Sequence, residues 1–239
     1  MLLLAVALIG FNSCKKDKEI VKDVTFNVNF NHKVNNDLVE MDTLLYTNAF
    51  GNKFSVSTIK YFISDIVLYK ASGDIKIATA QYIDVRMPIT TSLSVNAMVS
   101  EEDVFTGMSF IYGLNEARNF DGAFPNPPAN AMEWPIPLGG GYHYMKLEGK
   151  HDSSGSIKNF QCHTGPTNGN QYYKSFNSNK SFSVAGDSKS IDINMNIEKW
   201  FSTPNTLDLN DITRIMGNES MQAKLEQNVT DVFTIEINE

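Results

Sequence analysis

Four histidines, two cysteines, two tryptophans and ten methionines are the residues of this 239-residue chain best suited to hold a soft metal ion or to be oxidised. His32, His143 and His163 lie in strand-like runs, His163 directly after Cys162, and Trp134 sits in the stretch that leads to His143. Imidazole suits copper, and thiolate or thioether sulfur suits Cu(I). Other chemistries leave little trace. There is no Gly-x-Ser-x-Gly elbow, no phosphate loop, no Gly-x-Gly-x-x-Gly and no Cys-x-x-Cys pair. Asp208-Leu209-Asn210-Asp211 starts like a calcium loop but lacks its glycine and closing glutamate. With no nucleophile or acid–base set in view, binding is expected rather than turnover; a hydrolase with an unseen catalytic pair is the weakest reading.

The stretch Met132–Gly149 carries most of this chemistry. Trp134 is followed by prolines at 135 and 137, so it lies outside a regular ladder. Gly139-Gly140-Gly141 allows a sharp turn and a close backbone approach. Tyr142–Glu148 then reads as a strand that Gly149 ends. The tryptophan either plugs a core or borders a metal site.

The elements that must position these groups are strands. Val24, Phe26, Val28 and Phe30 alternate with Thr25, Asn27, Asn29 and Asn31, which is a half-buried strand. His32 and Val34 continue its inward row. Phe54–Tyr69 has apolar residues on both parities, as a bulged or doubly covered strand would. Ile75–Val85, Met108–Leu114, Ile157–His163, Phe182–Val184, Ile191–Ile197 and Phe233–Ile237 supply further strands. His143 shares its parity with Met145 and Leu147, whereas His163 lies opposite Phe160 and Cys162. His151, before Asp152-Ser153-Ser154-Gly155, reads as a solvated loop residue. Asn115–Ala131 is a long loop of the kind that is often functional. Asn218 or Ser220 caps a helix over Met221–Asn228. The expected fold is all-β: an antiparallel β-sandwich with long loops and one short C-terminal helix.

A formal net charge of −7 argues against nucleic acid as a partner. Residues 1–13 read as a lipoprotein signal peptide. Met1–Phe11 is apolar but too short to span a bilayer, and Asn12-Ser13-Cys14 resembles a relaxed lipobox. Acylated Cys14 and the charged tether through residue 22 would anchor a domain at 23–239 to a membrane of the cell envelope. Cys162 would then be the one remaining thiol, so no internal disulfide is expected.

The ordered motifs resemble the MbnP-like copper-binding domain family. They are Phe30-Asn31-His32-Lys33-Val34, Tyr46-Thr47-Asn48 with Gly51 and Phe54-Ser55-Val56, and Ile59–Ile66. After them come Met132-Glu133-Trp134, Gly141-Tyr142, Lys146-Leu147-Glu148-Gly149, Cys162-His163-Thr164-Gly165 and Asn228–Phe233. The resemblance implies a lipid-anchored or secreted β-sandwich that binds copper through histidines near a tryptophan oxidised to kynurenine. It implies His32 and His163 as first-choice ligands, His143 as the third, and Trp134 as the oxidised residue. A dihaem cytochrome c peroxidase-like protein is the implied partner. The rival reading is a metal-free interaction or glycan-binding module, with Tyr142, Tyr144, Tyr172 and Tyr173 as a stacking platform.

Overall fold

The computed structural model describes residues 20–238. The expected signal peptide, Cys14 and most of the tether lie outside the described residues. Among the described residues thirteen strands make two facing sheets, accompanied by one α-helix. In chain order the strands are β1 (Val21–Val34), β2 (Asp37–Leu38), β3 (Tyr46–Thr47), β4 (Lys53–Lys70), β5 (Ile75–Asp84), β6 (Ser92–Ser100) and β7 (Val104–Tyr112). They continue with β8 (Met145–Ser153), β9 (Ser156–Thr164), β10 (Lys174–Ser178), β11 (Phe182–Ser183), β12 (Ser188–Asn196) and β13 (Phe233–Ile237). The helix α1 spans Glu219–Asn228, and Asn218 caps it by accepting from the Met221 N–H.

The first sheet is built around β1. Its alternation is as expected: Val24, Phe26, Val28 and Phe30 are buried, and the polar parity faces out. The outward asparagines bond sideways, Asn29 to Asp192 and Asn31 to Asn194. β6 and β2 lie along one edge of β1, antiparallel, and β12 along the other. That β1–β12 pair is parallel, a departure from an all-antiparallel sandwich. β6 falls in the 86–100 stretch, for which no strand was expected. Leu93, Val95 and Ala97 are only half-buried, so their alternation with serine and asparagine is shallow, while Val99 is buried and Met98 exposed.

The second sheet is built around β4. Its long mixed-parity run has two causes. A bulge interrupts its pairing between Ile66 and Val67, and both faces are covered. Tyr61 packs inward against Phe233 of the first sheet. Phe62 packs outward against Phe124 and Tyr142 of the 113–144 excursion. β7 and β8 share one edge of β4, in succession. The chain leaves that edge after Tyr112 and returns at Met145. The two ends of the excursion meet at one residue: the Gly113 N–H donates to the Phe62 carbonyl, and the Phe62 N–H donates to the Tyr144 carbonyl.

β8 begins later and ends later than the sequence implied, so its partner β9 joins it through a tight turn at residues 154–155. His151 is therefore on a strand and 1% exposed, not in a solvated loop. Apolar β4 and β9 flank it, and the polar residues that follow it form only the end of the hairpin. Where β8 crosses β4, a Cβ on Gly149 would stand 1.9 Å from the Ser55 carbonyl oxygen and 2.8 Å from the Phe160 ring. Gly155 has open space around it. Gly149→Ala should cost on the order of 3 kcal/mol, since backbone cannot move aside cheaply. Gly155→Ala, strained only by its positive φ, should cost about 1 kcal/mol. Urea unfolding of the two variants checks the difference.

Candidate metal centre

Trp134, His143 and His163 come together on the outer face of the second sheet. Met132–Trp134 runs antiparallel to Gly141–His143 as a short ladder. The Trp134 N–H donates to the Gly141 carbonyl and the His143 N–H to the Met132 carbonyl. This places the indole 4.7 Å from the His143 ring, edge to face. The His143 and His163 rings are 5.1 Å apart, also edge to face. Both Trp134 and His143 are buried.

The local sequence explains the approach. Gly140 and Gly141 have positive φ, and their turn is tied down by Asp121 and Asn119. The Asp121 carboxylate accepts from the Gly141 N–H, and the Asn119 side-chain oxygen accepts from the Tyr142 N–H. On the other flank the indole lies flat on Gly165, where a Cβ would be 2.6 Å from its Cε3. The glycine of Cys-His-Thr-Gly is thus a packing requirement of the tryptophan. Gln222 of α1 holds this segment: its amide donates to the His163 carbonyl and accepts from the Gly165 N–H.

Each histidine has one nitrogen engaged. His143 Nδ1 donates to the Met132 carbonyl at 2.9 Å. His163 Nε2 donates to Glu148 Oε1 at 2.7 Å. Burial, followed by the charge of Lys146, lowers the His143 pKa to about 3, so its ring is neutral at neutral pH. The Trp134 indole N–H is buried without a hydrogen-bond partner. A pocket of about 150 Å³ is lined by Asp121, Glu133, Trp134 and Ile136.

His32 is not brought to this cluster. It ends the inward row of β1, where its Nε2 bonds with the Tyr61 hydroxyl at 3.1 Å. Tyr61 faces the sandwich interior, while His163 pairs with Lys146, one register step from the Tyr61–Met145–Thr164 row. Neighbouring rows point to opposite faces, so His32 and His163 lie on opposite sides of the second sheet. Cys162 also points inward, and burial pushes its thiol well up, keeping it protonated. Among the described residues no three or more histidine, cysteine, aspartate or glutamate side chains gather as a metal site.

The aromatic platform does not form either. Tyr142 and Tyr144 are fully buried and Tyr172 is nearly so. Their hydroxyls are used internally, with Tyr142 accepting from the Phe124 N–H and Tyr144 donating to Gln171. Glu148 and Gln222 are site residues that the sequence reading missed. Glu148 had a signal, since it lies in the same Tyr142–Glu148 run as His143 and precedes Gly149. Gln222 had none.

A two-sheet β-sandwich that carries a buried tryptophan and a histidine pair on one outer face is the class of protein defined here. A family model described as MbnP matches residues 23–221, and the chain belongs to that family. The fold is also that of MbnP from Methylosinus trichosporium, with a TM-score of 0.56 over 91% of this chain and 100% of that one. The two are 12% identical, so this likeness speaks to fold alone. No curated protein sequence matches the chain.

His32 generates a pH dependence of its own. Burial lowers its pKa from 6.5 to about 4. The unfolded chain then binds more protons than the folded one between those values. The stability that comes from holding this ring neutral is complete above pH 6.5 and is lost as pH falls toward 4. Its size is on the order of 3 kcal/mol. Urea unfolding between pH 7 and 4 should show His32→Leu losing less stability across this window than wild type.

Proposed function

We propose that this chain is a copper-binding protein of the cell envelope, with His143 and His163 as ligands beside Trp134. The observation that carries the reading is the meeting of these three rings on one face, each imidazole held by an oxygen acceptor. The donor set fits Cu(I), which accepts few ligands and favours nitrogen or sulfur. A neutral His143 in a desolvated position fits as well, since a metal needs the unprotonated nitrogen. Copper would supply ligand exchange or electron transfer; the chain's own residues bind, orient the imidazoles and exclude water. On this reading the role is binding and handling rather than turnover. Family membership supports this reading.

Cys14 would carry a lipid that anchors the domain to the periplasmic or surface side of a bacterial membrane. Trp134 would be the residue oxidised to kynurenine by a dihaem cytochrome c peroxidase-like partner. Its position lining a pocket, with the indole N–H unbonded, is consistent with that fate.

Copper affinity tests the site. His143→Ala and His163→Ala should each weaken Cu(I) binding at least ~10–100-fold in competition with a chromophoric chelator, the scale of lost site integrity. His32→Ala, on the opposite side of the sheet, should leave affinity within a few-fold. Equal affinity in all three variants would remove the proposed centre. Intact mass of protein from its native host tests the modification: kynurenine is a net gain of one oxygen and loss of one carbon at Trp134.

A further inference from the structure

We propose that the two histidines present unlike nitrogens to the shared site, Nε2 from His143 and Nδ1 from His163, and that Glu148 is the positioning residue that fixes the second choice. This rests on the copper reading for its use, but the assignment itself belongs to the metal-free protein. A backbone carbonyl can only accept a hydrogen bond, so the Met132 oxygen 2.9 Å from His143 Nδ1 requires a proton on that nitrogen. In a neutral ring the lone pair is then on Nε2. A carboxylate also only accepts, so Glu148 Oε1 at 2.7 Å from His163 Nε2 requires a proton there. The lone pair of the neutral ring is then on Nδ1.

Glu148 is itself held in place. Its other oxygen, Oε2, accepts from the Thr58 hydroxyl of β4. Glu148 and Thr58 are register partners beside the β4–β8 bulge. The neighbouring Lys146 ammonium donates to the Ala131 carbonyl, at the end of the excursion that delivers Trp134. The carboxylate therefore approaches His163 from β8, and the Met132 carbonyl approaches His143 from the excursion. The acceptors come from different elements and select different ring nitrogens, a choice that the residue types alone do not express.

Long-range ¹H–¹⁵N correlation spectra of the metal-free mature protein, recorded about two pH units above the ordinary imidazole pKa so that the rings are neutral, read each tautomer directly. The expected result is an Nδ1–H tautomer for His143 and an Nε2–H tautomer for His163. In Glu148→Ala the His163 ring should move to a mixture of tautomers while His143 stays unchanged, and Cu(I) affinity should fall ~10–100-fold. Glu148→Gln, whose amide oxygen can still accept, should restore the Nε2–H form and much of the affinity. An Nδ1–H tautomer for His163 in wild type overturns the inference while leaving the copper reading intact. Weakened copper binding in Glu148→Ala with an unmoved tautomer also overturns it. A wild-type protein with both tautomers as assigned but no copper affinity upholds the inference and overturns the copper reading instead.

Discussion

One residue of β4 governs the outer face of this protein. Phe62 uses its N–H and its carbonyl on the same strand edge, the carbonyl toward the chain as it departs at Gly113 and the N–H toward its return at Tyr144. The excursion between them is therefore closed at its base by main-chain bonds inside the sheet. Its lost freedom is that of a loop with fixed ends, and longer loops of that kind cost only slowly more entropy. The Phe62 side chain adds the apolar support, with Phe124 and Tyr142 packed on it. Asp65, three residues on and at positive φ, receives Asn115 and Arg118 from the outgoing limb. A left-handed residue inside a strand is strained unless the surroundings compel it, and here two donors and a bulge do so.

From that base the polar groups of the excursion are used in pairs. Asn119 and Asp121 fasten the glycine turn, the turn fixes the Met132–Trp134 ladder, and the ladder delivers the indole to Gly165 and the His143 ring. Gln222 approaches from α1 and satisfies backbone groups of the Cys162–Gly165 segment that no strand could reach. Buried polar groups left without partners cost about 1–3 kcal/mol each, so this network favours one arrangement of the loop over many. The indole N–H is an exception, and it lies at the cluster itself.

Much of this was legible in the residues. The alternation of β1 predicted its buried face, and it placed His32 correctly on the inward row. The mixed parity of Phe54–Tyr69 pointed to a strand covered on both sides. The Asn218 cap was readable from local chemistry. What the sequence could not express was which faces would coincide. His32 continues the inward row of β1 and His163 stands on the parity opposite Phe160 and Cys162, but only the pairing of the strands shows that these parities put the two on opposite sides of the second sheet. His151 misled because its downstream neighbours are turn residues, while the strand that buries it is nearly a hundred positions earlier. Glu148 is 15 positions from His163 in sequence, and only the β8–β9 pairing brings it beside that ring.

The parallel pairing of β1 with β12 sets an order on how the molecule can be completed. β6 can zip onto one edge of β1 early, but side chains that meet across the other edge are 161 and 163 positions apart. β1 is left half-dressed until β12 has been synthesised. Its apolar row, Val24 to Phe30, and its free edge meanwhile form a template for adventitious strand pairing. Contacts this distant in sequence also slow folding. A protein wired in this way gains from a holding factor that shields nascent strands, and it has little tolerance for chain termination before β12.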